Sequence, residues 1–583
     1  MPTVLILLLV IPLATAAAVA SLGAARPVAV RWLSLGSTLL CLLLSTIVTI
    51  DYASVHANAA APATTFEPAH VTHFDLVTFG SAKVSSIQFY IGLDGMNVWL
   101  ILLTALLMVP AVLCSWTAVK ERVNEYFAWL LALQTAMVGV FLSFDVVLFY
   151  VFFELTLVPL FFLIGIWGGP ERQYAARKFF VFTLGGSLIT LLGVIGIVLT
   201  LGQSVDPQME NAETRKTTFS IPDLVAQSND RSRHLAETST SLQKQFDDAA
   251  KPTDELTNKL AKAKETNEQW RKVQFWVFLA MIVGFSIKVP LVPVHTWLPL
   301  AHVEAPTAGS VLLAGILLKL GTYGYLRLCL PLVPDASLSI GAPLIGWLAV
   351  IGILYGSFCS LAQDDIKKLI AYSSVAHLGY CMLGLFALNV AGLSGGILQM
   401  INHGLSTGGL FLVVGMLYER YHTRKMEDYG GMAARLKLLG AAMVFITMTS
   451  IGLPGLNGFV GEVLVLFGMY SSKSGTVSGV TLTVLASFGM LLGAWYMLTM
   501  LRRVFFGPLH EPHHDGEGHV SDLNGREIAT LAPIAVLCIF LGVYPKPFLD
   551  TVKPEVQFVA KLADEARERA HSSAEKATTF AEK

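Results

Sequence analysis

Charge is scarce in this sequence. Asp, Glu, Lys and Arg make up 14% of its 583 residues, where a soluble domain carries about 25%. With 54% hydrophobic residues and a mean hydropathy of +0.62, that shortage excludes an ordinary soluble globular domain. An excess of one sign is lacking too. The formal net charge is −1, so no basic field points to nucleic acid. Cysteine is sparse: Cys41, Cys114, Cys329, Cys359, Cys381 and Cys538 are scattered, and none forms a CxxC, which argues against zinc or iron–sulfur ligation. They read as small hydrophobes. No P-loop, nucleophile elbow or dinucleotide fingerprint is present. The glycines from Gly392 to Gly396 lie beside an apolar run, not between a strand and a helix, so the phosphate-cradle reading fails its context test. The run from Met1 to Ala20 lacks a positively charged start, and another long apolar run follows it. It is expected as a first transmembrane helix and not as a cleaved signal.

What the sequence does have is apolar runs near helix-spanning length along its whole course, about fourteen of them, from 3–20 to 528–547. Runs near 20 residues fit membrane helices, and a transmembrane barrel would show shorter alternating segments. The expected fold is an all-α polytopic membrane protein of about 14 transmembrane helices. Residues 1–123 hold the first three helices and an extramembrane hairpin, suggested by alternating Val84, Ile87, Phe89 and Ile91. Breakers interrupt the seventh span after Lys288 (Pro290, Pro293) and the twelfth from Gly452 to Gly458. Paired broken helices point to inverted repeats with ion sites at mid-membrane. Two inverted five-helix repeats are therefore expected, spans 4–8 (residues 124–202 and 273–330) and 9–13 (341–506), with helices 7 and 12 broken. Residues 203–272 form a polar insert. Leu235, Leu242, Phe246, Leu256 and Leu260 recur there near helical spacing, so one or two surface helices are expected. Residues 507–583 are read as the last membrane helix and a polar C-terminal tail.

The basic loops give an orientation. Arg26 and Arg31, Lys120 and Arg122, Arg172 to Lys178, Lys367 and Lys368, Arg420 to Lys425, and Arg502 with Arg503 all follow odd-numbered spans. These loops should share the cytoplasmic side, leaving the insert and both termini outside, because short basic loops stay in the cytoplasm. The loop histidines His513, His514 and His519, near Glu511 and Asp515, suit a solvated loop better than a metal site.

The scarce charges sit in unexpected places. Lys288 ends an apolar stretch that begins at Phe275, and Glu154, Lys319, His377, His403 and Glu462 also lie inside apolar runs. Each ionised group at bilayer depth costs roughly 2.5–3.5 kcal/mol on insertion scales and normally marks an ion or proton pathway. A lone buried histidine is more often a satisfied structural group, but six titratable groups in separate spans suggest a relay. A Glu154–Lys288 pair is expected. At about 4 Å and an effective dielectric near 20 its attraction is roughly 4 kcal/mol, enough for opening the pair to release a proton. A static buried ion pair is the plainer alternative.

These residues resemble a known family, the antiporter-like proton-translocating subunits of respiratory complex I and of Mrp-type cation/proton antiporters. The resemblance rests on Phe149 to Glu154, Lys288 to Pro299, Ala301 to Ser310, Asp364 to Ser374 and Gly458 to Glu462, and it spans roughly residues 90 to 510. It implies a proton path through Glu154 on helix 5, Lys288 and Lys319 on helices 7 and 8, and a terminal group on helix 12, Glu462. The L-like and N-like members resemble one another in placing a lysine there, so Glu462 sets this chain apart from them. Too few residues follow the last span for the long lateral helix of L-like members. The insert 203–272 departs from the usual pattern. The resemblance implies a membrane-arm subunit coupling NADH:quinone electron transfer to proton pumping in a bacterial inner membrane. Its partners would be the lipid bilayer and L-like and N-like antiporter subunits, with no nucleic acid. No redox centre or metal is expected in this chain; FMN, iron–sulfur clusters and quinone belong to other subunits. An Mrp-type antiporter subunit, or the membrane subunit of a membrane-bound hydrogenase, is the alternative.

Overall fold

The computed structural model of the chain describes all residues except 24, 57–65, 80–84, 203–216, 250, 474–477, 513–519 and 582–583, with side chains as far as His571. The elements are α1 (Pro2–Leu22), α2 (Pro27–His56), β1 (Ala69–Phe79), β2 (Ser85–Leu93), α3 (Val98–Ala118), α4 (Val123–Leu142), α5 (Val146–Leu155), α6 (Leu157–Trp167), α7 (Arg172–Gly202), α8 (Ile221–Asp248), α9 (Asp254–Lys288) and α10 (Trp297–Glu304). They continue with α11 (Thr307–Leu332) and α12 (Pro334–Leu361). The last are α13 (Ile366–Leu385), α14 (Val390–Tyr421), α15 (Lys437–Ser450), α16 (Asn457–Tyr470), α17 (Gly479–Val504), α18 (Gly525–Val543) and α19 (Lys546–Ala581).

Among the described residues, 12 helical segments are long and apolar enough to cross a membrane, α5 with α6 counting as one. The two other expected spans are helical as well. One is α13, less apolar because Ser373, Ser374 and His377 lie on it, and the other is the pair α15 and α16. Helices suit this setting because each satisfies its own backbone groups where water is absent. The core is built around α11 and α14, whose most apolar windows are 100% buried; those of α1 and α18 are 33% buried. Outward-facing Leu192, Trp276 and Trp495 are more than 60% exposed, as expected of side chains that meet lipid and not protein.

Both expected breaks are present. The chain leaves helical geometry after Lys288 and resumes at Trp297. It breaks again between Ser450 and Asn457, where Gly452 (φ 73°) and Gly455 (φ 91°) take left-handed conformations that glycine adopts without penalty. The hairpin is also present. β1 and β2 pair antiparallel with Thr72 opposite Ile91 and Phe74 opposite Phe89; Val84 lies outside the described residues.

The polar segments differ from expectation in two ways. The insert is a helical hairpin, α8 against α9, and its inner end is not a surface arm. Ile221, Leu224, Val225, Ser228 and Asn229 are buried, and Ser228 Oγ and Asn229 Nδ2 donate to the carbonyls of Leu332 and Pro331. The boundary expected at 272 falls inside one 35-residue helix that continues into the membrane as the seventh span. Charge alone marked that boundary, and helical backbone does not stop where polarity changes. The C-terminal tail is likewise a 36-residue helix, about 54 Å long at 1.5 Å per residue. It is amphipathic, with Phe548, Val552, Val556, Val559 and Ala563 buried. It lies as a strap across one face of the bundle. Phe548 packs on Trp99 with ring centroids 5.4 Å apart, Arg569 Nε donates to Asp335 Oδ1 at 2.9 Å, and Arg567 Nη2 donates to the Leu388 carbonyl at 2.9 Å. By connectivity the β hairpin and the insert share that face.

Candidate functional site

The first half of the site is set by two helix ends. Asp145 caps α5, accepting the Val147 and Leu148 amides at 2.8 and 3.0 Å. That fixes the phase of the turn carrying Phe153 and Glu154. Lys288 is the last residue of α9, where the negative end of the helix dipole favours a cation. It is 3% exposed. Its Nζ donates to Thr156 Oγ1 at 3.4 Å and lies 4.6 Å from the centre of the Phe153 ring. The contact pair expected between Glu154 and Lys288 is not closed. Neither carboxylate oxygen of Glu154 makes a hydrogen bond of good geometry, although the Ser187 and Tyr150 hydroxyls are close enough to interact with it. The reason is directional. Phe153 is buried whereas Glu154 is half-buried, so the lysine meets the ring and hydroxyl on one side while the carboxylate stands one position round the helix. A cation over an aromatic face gains about 0.5–2 kcal/mol, less than the ion pair would give.

The second half is a contact chain. Lys319 is fully buried in α11, between π-helical turns at Leu313–Leu317 and Tyr325–Cys329. Such bulges occur frequently at functional sites. Here the first one presents the Ala314 carbonyl, which accepts from Lys319 Nζ at 2.5 Å. The same nitrogen lies 2.6 Å from His403 Nδ1. Gly315 and Gly404 permit this approach, since a Cβ on Gly404 would lie 2.9 Å from the Gly315 carbonyl oxygen. The His403 and His377 rings are 5.7 Å apart. His377 Nδ1 is 3.6 Å from Glu462 Oε1, and its Nε2 is 3.4 Å from Ser450 Oγ at the lip of the broken segment. Gln399 Nε2 donates to Glu462 Oε1 at 3.4 Å. Glu462 Oε2 has no partner and faces Gly452, where a Cβ would crowd it at 2.7 Å.

The structure therefore brings Lys319, His403, His377 and Glu462 together in that order and sets Glu154 and Lys288 apart as a second group. Sequence reasoning missed His302. It is 0% exposed, stacks on Phe411 with centroids 4.7 Å apart, and has both ring nitrogens unpartnered. It lies within electrostatic reach of Lys319 and of Lys367. Lys367 Nζ donates to the Ala305 carbonyl at 2.6 Å, and Arg424 Nη1 donates to the Val303 carbonyl at 2.7 Å. His302 thus sits between the chain and a basic loop. It is visible in the sequence beside Val303 and Glu304 but lies in a short helix, not a long apolar run. Among the described residues no three His, Cys, Asp or Glu side chains gather as a metal site would require. The loop histidines 513, 514 and 519 lie outside the described residues.

Fold and site together define a multi-pass helical membrane protein with ionisable groups lined up in its interior. The chain belongs to the NADH:quinone oxidoreductase/Mrp antiporter transmembrane family, whose model matches residues 143–223 and 253–488. The match lapses over residues 224–252, which is nearly all of α8, so the departure from the family pattern is narrower than 203–272. The chain is similar to NADH-quinone oxidoreductase subunit M of Rhodobacter capsulatus, 39% identical over 82% of each chain. It is also similar to NADH-ubiquinone oxidoreductase chain 4 of Arabidopsis thaliana, 38% identical over 81% of this chain and 82% of that one. A chain of respiratory complex I from Thermus thermophilus superposes with TM-score 0.73 at 27% identity, covering 96% of this chain and 99% of that one. The Mrp complex from Dietzia sp. DQ12-45-1b shares the fold, with TM-score 0.71 at 19% identity over 98% and 99% of the two chains.

Proposed function

We propose that this chain is the M-type proton-translocating membrane-arm subunit of NADH-quinone oxidoreductase, seated in a bacterial inner membrane beside L-like and N-like antiporter subunits. The observation that carries the reading is the buried chain Lys319–His403–His377–Glu462, with its 2.6 Å and 3.6 Å contacts. Four titratable groups at bilayer depth cost more than a scaffold would tolerate without use. Each successive pair can hold a proton on one member or pass it on, because a histidine both donates and accepts.

In this reading Glu154 and Lys288 form the switch. The described arrangement has the pair open, with Lys288 on Thr156 and Phe153. Rotation of Glu154 toward the ammonium would stabilise the charged lysine by roughly 4 kcal/mol. Its withdrawal would favour proton release toward Lys319. No side-chain contact joins Lys288 to Lys319 among the described residues. Glu462 is the terminal group. The flavin, iron–sulfur clusters and quinone are assigned to other subunits, and this chain contributes proton transfer to the assembly's enzymatic activity. The insert-bearing face is assigned to the outside.

The test is deletion and complementation. Membranes lacking this chain should lose NADH-driven proton pumping, and the chain supplied in trans should restore it. An Mrp-type antiporter subunit or a hydrogenase membrane subunit predicts a different outcome. Deletion would leave NADH-driven pumping intact and abolish Na⁺/H⁺ exchange or hydrogen evolution.

A further inference from the structure

A second buried charge cluster lies away from the midplane chain, under the C-terminal strap. Arg327, 0% exposed, sits in the π-helical turn of α11 two turns beyond Lys319. Its Nη1 is 2.5 Å from Asp94 Oδ2, at the start of α3. Its guanidinium lies against Phe144, Tyr323 and Phe66 at 4.7, 5.1 and 5.3 Å from the ring centres. Beside it is Glu555 of α19, 6% exposed. Glu555 Oε1 accepts from the Tyr52 hydroxyl at 3.0 Å and from the Gly95 amide at 3.1 Å. Its Oε2 has no partner. The strap lies so close here that a Cβ on Gly95 would run into the Thr551 carbonyl and the Glu555 carboxyl.

The charges do not balance. The guanidinium pairs with Asp94, and the second carboxyl, that of Glu555, has an unpartnered oxygen in a buried site. A buried polar atom without a partner is costly, and an unpaired buried charge more so. A proton on Glu555 Oε2 removes the excess charge. We propose that Glu555 and Asp94 form a proton-binding site on the insert-bearing face, holding one proton between them and clasping the C-terminal helix to the helix that carries Lys319. Burial, and then the charge of Asp94, push Glu555 from 4.5 up to about 7, in keeping with that geometry. This inference does not depend on the pump assignment.

The sign of the pH effect follows from linkage. The clasped state holds the proton more tightly than the open one, so clasping is strongest below the ordinary carboxylate range. It weakens by up to about tenfold per pH unit as pH rises through the raised value, and it levels off above that. The other groups facing the site are Tyr52 on α2, with the Asp51–His70 pair one residue away, and Tyr323 and Arg327 on α11. On α19 itself, Lys546 pairs with Asp550 and Lys553 is exposed. A Glu555 variant separates the contribution of Glu555 from that of the His70–Asp51 pair.

The experiment is deuterium exchange of the 546–566 segment in the assembled complex from pH 5 to 8.5, corrected for intrinsic exchange. The wild type should open progressively more up to about pH 7, in a roughly tenfold-per-unit rise, and level off above it. Glu555→Gln keeps the shape and mimics the protonated group, so its profile should stay flat at the low-pH level. A flat wild-type profile, or a Glu555→Gln profile that tracks the wild type, overturns the proposal. If the Gln variant fails to assemble, the wild-type profile still decides: a flat one overturns the proposal, and the predicted rise and plateau support it.

Discussion

Glu462→Gln tests the terminal step of the proposed relay. Gln keeps the shape of the side chain and can still meet Gln399, which lies 3.4 Å away. What it loses is the charge facing His377 Nδ1 at 3.6 Å. At that separation and an effective dielectric near 20, a full charge pair is worth roughly 4–5 kcal/mol. Without that carboxylate a proton carried on His377 has no counter-charge beside it. A proton arriving from Lys319 through His403 would have nowhere to rest. The expected outcome is a complex that assembles in normal amount but pumps few protons through this subunit. The assay is protons pumped per NADH oxidised in sealed vesicles, normalised to assembled complex on native gels. If Glu462 only neutralises its surroundings, Gln should reduce assembly while the surviving complex pumps normally. A normal rate and ratio in the Gln variant would remove Glu462 from the pathway and refute the reasoning.

Three other outcomes are expected. Glu154→Ala should leave assembly intact, because the described state already holds Lys288 without the glutamate, yet it should abolish most coupled NADH-quinone activity and pumping. Glu154→Asp should retain part, and full pumping by the Ala variant would sink the switch. Thr240→Cys, at an exposed position on α8, should react with an impermeant maleimide from outside intact cells; labelling only after lysis would reverse the orientation. Asp522 accepts the Leu438, Leu439 and Leu523 amides at 2.7, 3.1 and 2.8 Å. Burial raises its proton affinity, but those donors outweigh it and hold the carboxyl below 3.8, so its grip on the start of α15 is present at neutral pH and lost as pH falls through that depressed value. Asp522→Ala should raise exchange of the 437–440 amides about fivefold, corresponding to ~1 kcal/mol for a lost cap; unchanged exchange would refute the capping role.

The spans and the list of buried titratable groups were legible because each violates solvation. A lysine after Phe275 to Ile287 has no bland reason to be there, and a run of 20 apolar residues has few alternatives to crossing a membrane. Partners were not legible, because they depend on helix phase. One position decides whether Lys288 meets Glu154 or Phe153, and no single-sequence pattern fixes rotation to that accuracy. The π turns flanking Lys319 left no signal, since Leu313–Leu317 and Tyr325–Cys329 read as ordinary apolar helix. Arg327 was visible in its apolar run, but Asp94 and Glu555 lie far off in the chain. The strap was a different failure. Phe548, Val552, Val556, Val559 and Ala563 recur at helical spacing, a pattern available to inspection but overshadowed by the charges around it.

The two breaks give the two ends of the proposed relay, Lys288 and Glu462, different electrostatic settings. Lys288 is the terminal residue of α9, so its ammonium benefits from the helix's unsatisfied carbonyls, an effect of about 0.3–2 kcal/mol confined to the last turn. Glu462 follows a break on the opposite kind of end, the start of α16. That sign is right for a carboxylate, but α16 begins at Asn457 and Glu462 lies beyond its first turn, where the dipole has faded. Its stabilisation must come from side chains, and the available ones are Gln399 and His377. The first is neutral and the second carries charge only when protonated. In the proposed relay, the contact between Glu462 and His377 is an ion pair only while the histidine carries the proton it would pass on. A terminal acceptor needs that coupling, whereas a static counter-ion, paired with a permanent cation such as arginine, would not show it.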